Sequence, residues 1–228
     1  MKSLNLTKDP NLDLVLKNFL KGVNSKLKQP SNSKVIYSAN FGSYDSLKDP
    51  IFIESDIDYI YFTDNPETKS DLWQVILIDS NLFDSRMMAR IFKHLPHFFL
   101  TQYKSSLWID AQITINKASA SYIFSLLANR SFICFRHNRR SKVFYEAIAC
   151  IRIGHDSIKK IVTQYISYRF DGFKDHDPLI ESGVLARNHM EKNIFIFQES
   201  WFKEIFNRSI RDQLSFNYCV WKLKFNKF

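Results

Sequence analysis

The stretch Ser106-Leu107-Trp108-Ile109-Asp110-Ala111-Gln112-Ile113 constrains the fold more than any other. Its short apolar run has the look of a buried strand, and the run stops at a carboxylate. At the carboxyl end of a parallel strand such a group faces the crevice in which open α/β sheets bind ligands, so Asp110 marks a place for a metal or a nucleotide.

Strand and helix alternate around this segment, as in a doubly wound α/β sheet. Val35 to Phe41, Tyr59 to Phe62 and Trp73 to Ile78 are predicted strands, each running out into small or polar residues. Ser85 to His94 is predicted as a helix, Pro96 opens a further turn or helix to Tyr103, and Leu107 to Ile109 is the central strand. Beyond it the pattern predicts a helix over Ala118 to Asn129, a strand over Phe132 to Phe135 and a mostly helical stretch from Tyr145 to Tyr168. A strand over Gly183 to Ala186 and a helix from Trp201 to Trp221, broken near Asn207, complete the chain. At the start, Asp9 caps and Pro10 opens a helix whose Leu12, Val15, Leu16, Phe19 and Leu20 share one face before Gly22 ends it. That face packs on the main domain or lies on a membrane or partner, and Gln29 to Ser33 is a linker. The expected division is a helix and linker over 1–33 and one domain over 34–228.

With 228 residues, 45% of them hydrophobic, the chain has enough apolar material for a full core. Its three cysteines, Cys134, Cys150 and Cys219, are widely spaced and indicate neither a disulfide framework nor a zinc ribbon. A reducing, cytoplasmic setting is expected. Nothing resembles a signal-peptide core or a membrane span, so the expected protein is soluble or peripheral. The formal charge of +9 is concentrated at the ends, net +5 over residues 1–34 and +4 over 201–228. Such charge is drawn to phosphate; a solvated surface and an anionic membrane both fit it. No RNP-type, helix-turn-helix or zinc-finger pattern accompanies it, which argues against a nucleic-acid partner.

Several constellations carry possible chemistry. Arg86, Arg90 and Lys93 share one stripe of the helix Ser85 to His94, suited to a diphosphate or simply to solvent. Asp110 with Gln112 offers one carboxylate and one amide oxygen, the ligand type of Mg²⁺ or Mn²⁺. Arg136-His137-Asn138-Arg139-Arg140 follows a strand and reads as an anion site or a charged loop. Glu181 enters a later strand, with Arg187 and His189 on one side of it, as partners for one ligand. Ser209 and Asp212 form a capping-box-like pair, while Asp212 beside Gln213 also suits sugar hydroxyls or positive charge on a sugar ring.

Taken in order, these segments resemble the hexosyltransferase family long catalogued as a domain of unknown function, which includes plant cell-wall and bacterial surface-polysaccharide enzymes. The carriers are Val35-Ile36-Tyr37 through Phe41-Gly42-Ser43-Tyr44-Asp45, Tyr61-Phe62-Thr63-Asp64, Arg90 to Lys93 with Pro96-His97, and Trp108-Ile109-Asp110. Tyr145-Glu146-Ala147, Glu181-Ser182-Gly183-Val184-Leu185 and Arg211-Asp212-Gln213-Leu214-Ser215-Phe216 complete the set. That family is similar in turn to glycogenin-like retaining galactosyltransferases. The implied fold is GT-A-like: a nucleotide-binding mixed sheet flanked by helices, here with an N-terminal helical extension. The chain departs from the Asp-x-Asp metal motif, with Gln112 in place of the second carboxylate, and Glu181 stands where the pattern has Asn.

The resemblance implies a glycosyltransferase using a nucleotide sugar, UDP-linked, and a glycan or glycolipid acceptor such as lipopolysaccharide or capsule. It would work at the cytosolic face of the inner membrane. Tyr44 and Asp64 would hold uracil and ribose, and Arg90 and Lys93 the diphosphate, with His137 and Arg187 as further binding residues. Asp110, Gln112 and His189 would hold Mn²⁺ or Mg²⁺, and Asp212, Gln213 and Glu181 would serve catalysis. Loss of the second metal carboxylate supports an alternative, a non-catalytic module that binds anionic glycan or lipid.

Overall fold

The computed structural model describes residues 5–79, 81–116 and 119–225. Among them six strands form one sheet: β1 (Lys34–Asn40), β2 (Asp58–Thr63), β3 (Gln74–Leu77), β4 (Ser105–Ile109), β5 (Phe132–Arg136) and β6 (Ile180–Arg187), in the spatial order β3-β2-β1-β4-β6-β5. β1 to β4 run parallel, whereas β6 lies antiparallel to both β4 and β5. The sheet is therefore mixed, consistent with the GT-A-like expectation, and departs from a wholly parallel doubly wound sheet at one side. A strand buried on both faces reads the same in either direction, so the apolar pattern of β6 carries no sign of its reversal.

The two-residue period of the central strands builds two cores. Val35, Tyr37 and Ala39 of β1, Ile60 and Phe62 of β2 and Trp108 of β4 enter the larger one. Their neighbours Ile36, Tyr59, Tyr61, Leu107 and Ile109 enter the smaller. The smaller core is closed by Ala120, Phe124 and Leu127 around α3 (Ala120–Leu126), whose first amides are capped by Glu54 at 3.0 and 2.9 Å. The predicted start at Ala118 lies outside the described residues.

The larger core takes the remaining helices: α1 (Pro10–Asn24), α2 (Ser85–His94), α4 (Val143–Arg152), α5 (Ile158–Phe170), α6 (Lys192–Asn207) and α7 (Gln213–Leu223). The predicted helical stretch from Tyr145 divides into α4 and α5, because Gly154 turns left-handed at φ 66° and the His155 amide closes the end of α4 on the Cys150 carbonyl. The break expected near Asn207 is where α6 ends, with α7 resuming at Gln213, while α6 begins at Lys192, ahead of the expected start at Trp201.

α1 begins as expected, with Asp9 accepting from the Asn11 amide and Pro10 in the first turn. Its buried stripe is Leu16, Leu20 and Val23, all in the larger core, and the Phe19 ring meets Phe92 of α2 edge-on. Val15, expected on that face, is 46% exposed. Burial makes α1 part of the main core. Leu20→Ala should lower the unfolding free energy by about 2–5 kcal/mol through cavity formation. Leu14→Ala, at a 59% exposed position, should change it by about 0.5 kcal/mol or less. Urea denaturation measures both.

Candidate active site

β1, β2, β4 and β5 all end at the edge of the sheet where β6 begins. That edge gathers Gly42, Asp64, Asp110, the arginine loop after β5 and Glu181-Ser182. α2 adds Arg90 and Lys93, and the N-cap of α7 adds Asp212.

Lys93 lies at the centre of this assembly. Its side chain is 1% exposed, and its ammonium sits 2.9 Å from Asp212 Oδ2, 3.1 Å from Asp110 Oδ1 and 3.3 Å from Ser182 Oγ. Arg90 reaches the same Asp212 oxygen at 3.2 Å, and Ser182 donates to it at 2.9 Å. The other oxygen, Oδ1, accepts from the Gln213 amide at 2.9 Å. Burial works against ionisation of Asp212, but Arg90 and Lys93 outweigh it and hold the carboxyl well below its ordinary 3.8. His94 is 3.8 Å away, beyond hydrogen-bond reach; burial depresses its pKa to about 3, so it is neutral at physiological pH. The cations in direct contact with Asp212 are thus Lys93 and Arg90. A carboxylate clamped in this way is a weak base, and its observable task is to fix those two cations.

Asp110 differs from Asp212 in being open, with a side chain 32% exposed. Trp108, two residues earlier on the same face of β4, donates its indole N–H to Oδ1 at 2.7 Å, the oxygen that Lys93 also holds. Gly183 borders Oδ2: a Cβ there would stand 3.3 Å from it. The β5–β6 register shifts here, from Cys134↔Leu185 to Phe135↔Glu181, so β6 bulges beside Asp110.

The metal expectation fits poorly with this donor set. No group of three or more His, Cys, Asp or Glu converges among the described residues. Gln112 is exposed, and its backbone carbonyl accepts from Lys48 at 2.9 Å. His189 is fully buried elsewhere, with Nε2 on the Leu100 carbonyl at 3.0 Å. His189 is therefore not a co-ligand of Asp110, and a lysine ammonium already occupies one of its oxygens.

A second buried carboxylate lies behind the arginine loop. Glu146, 1% exposed in α4, takes Arg140 Nε and, at 3.0 Å, Arg211 Nε. Burial opposes its charge, yet Arg211 and Arg140 bring its pKa below the ordinary value. One carboxylate between two guanidiniums leaves positive charge over. His137 Nδ1 accepts from the Arg139 and Arg140 amides, both at 3.0 Å, and burial with Arg140 nearby lowers its pKa. It shapes the loop as a neutral ring rather than offering charge to an anion. An open hollow of about 320 Å³ is lined by Arg136 to Ser141. Glu181 borders that loop, with Oε1 3.4 Å from the Asn138 amide.

At the other end of the edge, both Asp64 oxygens accept from the Gly42 amide, at 3.0 and 2.9 Å, and Tyr44 is 85% exposed. Gly42 has φ 68°, and a Cβ there would meet Ser85 Oγ at 2.4 Å, so only glycine lets this loop approach α2. Arg86, the third cation of the predicted stripe, turns outward to the His155 carbonyl. Arg187 sits four positions back from the edge, paired in register with Ser106, fully buried against Tyr37 and Gln198. Gln213 donates to the Ile180 carbonyl at 2.8 Å, while its Oε1 is buried without a hydrogen bond.

Of the residues expected at the site, Arg90, Lys93, Asp110, Glu181, Asp212 and Gln213 share one edge, where Ser182, Trp108, Arg211 and Glu146 join them without a task foreseen from the sequence. A signal for Glu146 existed: it is a lone carboxylate within the apolar Val143-Phe144-Tyr145-Glu146-Ala147-Ile148.

The chain matches the model of the TOD1/MUCI70, glycosyltransferase-like domain over residues 22–228. It belongs to that family. A comparison with curated proteins found no match. The TOD1/MUCI70 match supports glycosyltransferase activity in general terms, and it spans every residue of the charged edge. No helix among the described residues is long and apolar enough to cross a membrane.

Asp212→Asn should destabilise the fold at neutral pH by about 3 kcal/mol, since it removes a buried partner from two cations. The folded pKa of Asp212 is depressed, so its contribution is present above the ordinary 3.8 and is lost as pH falls through the folded value. Urea denaturation should therefore show the gap between variant and wild type narrowing at about pH 3 relative to pH 7.

Proposed function

We propose that the protein moves a hexose or related sugar from a UDP-linked donor to a surface glycan acceptor, such as lipopolysaccharide or capsule, with retention of configuration. We place the reaction at the cytosolic face of a membrane. The observation carrying this reading is the Lys93 ammonium, fixed between Asp110 and Asp212 with Arg90 beside it.

Departure of a nucleoside diphosphate leaves negative charge on phosphate and positive charge on the sugar ring. Pre-placed cations on one side and carboxylate or amide oxygens on the other lower that barrier without reorganisation. Arg90 meets the diphosphate, Lys93 adds its charge from beneath, Asp212 positions both, and the charge of Arg140 and Arg211 draws the donor to the edge. Tyr44 stacks on the base, with Asp64 fixing the loop beneath it. Asp110, the open carboxylate, faces the sugar, and Glu181, at the mouth, faces the acceptor. The bond from anomeric carbon to phosphate oxygen breaks, the acceptor oxygen bonds to that carbon, and the acceptor proton passes to the departing diphosphate. That proton route follows from the weak basicity of Asp212.

A thermal-shift series with UDP, GDP and CDP, each with and without chelator, tests the donor site. UDP at a hundredfold excess over its Kd should raise the melting temperature by on the order of 5–10 °C. No shift with any nucleotide would overturn the reading. Because the fixed cation is Lys93, most of the UDP shift should survive EDTA; a shift seen only with Mn²⁺ would contradict that role. NMR of the product from an α-linked donor should give an α linkage, and a β linkage would refute retention.

A further inference from the structure

We propose that the outward face of α5 is a docking surface for an anionic lipid bilayer. Ile158, Val162, Ile166 and Phe170 recur every four residues and are 60%, 41%, 46% and 88% exposed. They lie across the helix from the buried Ile161, Gln164 and Tyr168. A continuous apolar stripe on the solvent side reverses the usual arrangement of a surface helix and marks an interaction face.

The charge around the stripe selects the partner. Lys159, Lys160 and Arg169 lie on α5 and Lys174 just beyond it, all exposed, and α5 has no acidic residue. Among the described residues none of the four cations is in an ion pair. The neighbouring carboxylates are engaged by the protein itself. Asp156 accepts from the Ile210 amide, Asp171 from the Tyr218 hydroxyl, and Asp175 from the Val143 and Phe144 amides. Apolar side chains ringed by exposed cations match the boundary between acyl chains and anionic headgroups.

The inner face of α5 holds the turn that leads to Asp212. Gln164 Oε1 accepts from the Ser209 amide at 3.1 Å, and Ser167 Oγ accepts from Arg208 at 2.6 Å. A bilayer on the outer face would lie roughly 10 Å, one helix diameter, from that turn. Resting on the transferase reading, this geometry points to a lipid-borne acceptor presented at the membrane surface.

The test is co-sedimentation of the full chain with vesicles of phosphatidylcholine alone and of phosphatidylcholine with phosphatidylglycerol. I166E/F170E and K159E/K160E are measured beside the wild type, with melting temperature and UDP thermal shift recorded for each. The wild type should partition to the phosphatidylglycerol vesicles, and each variant should lose about tenfold or more of that partitioning while keeping its melting temperature and UDP shift. Equal binding by wild type and both variants would overturn the surface and assign attraction to the basic ends of the chain. No binding by the wild type would overturn it as well, including the case in which I166E/F170E converts a solution dimer to monomer. Failure of the donor reading is separable: UDP then stabilises none of the proteins, whatever the vesicles show.

Discussion

A lysine ammonium removed from water is costly unless carboxylates accompany it, and the arrangement of this protein follows from how that demand is met at Lys93. Its two acids come from distant parts of the chain, Asp110 from the end of β4 and Asp212 from the cap of α7. Their meeting requires α2 to lie on the sheet, β6 to begin beside β4, and α7 to start at the same edge. Removing either acid leaves the cation underpaired, so the fold and the charged site are coupled through one side chain.

Around that centre, the sheet supplies position and the irregularities supply access. The parallel strands deliver Gly42, Asp64 and Asp110 to one edge, while antiparallel β6 delivers Ser182 from its start. The β6 bulge and Gly183 keep a side chain away from Asp110 Oδ2, and left-handed Gly42 lets the β1 loop approach α2. Asp212 is buried and clamped whereas Asp110 is partly open. The two carboxylates therefore divide between holding the cations and facing the cleft.

Much of this was legible in the sequence, for reasons that also mark where legibility ends. The strand ending at Asp110 and the helix carrying Arg90 and Lys93 are set by local periodicity. Periodicity fixes which residues share a face but not what that face meets: Arg86, Arg90 and Lys93 lie on one stripe, yet one turns to the surface, one borders the cleft and one is buried. Arg187 is the last residue of β6 and His189 lies in the turn beyond it, so the two do not share a strand face, and both are enclosed by the core. Glu146 had a place in the family pattern but no task, because its partners, Arg140 and Arg211, are brought to it only by tertiary packing.

The claim that Lys93 is the site's resident cation for a donor diphosphate is tested most directly by calorimetric titration of UDP, in chelator, into wild type and Lys93→Gln, with thermal unfolding recorded to establish that the variant folds. With its three N–H groups on Asp110, Asp212 and Ser182, Lys93 acts on the phosphate through its charge rather than by contact, so affinity should fall by about tenfold. Equal affinity for UDP in a folded Lys93→Gln protein would contradict the account.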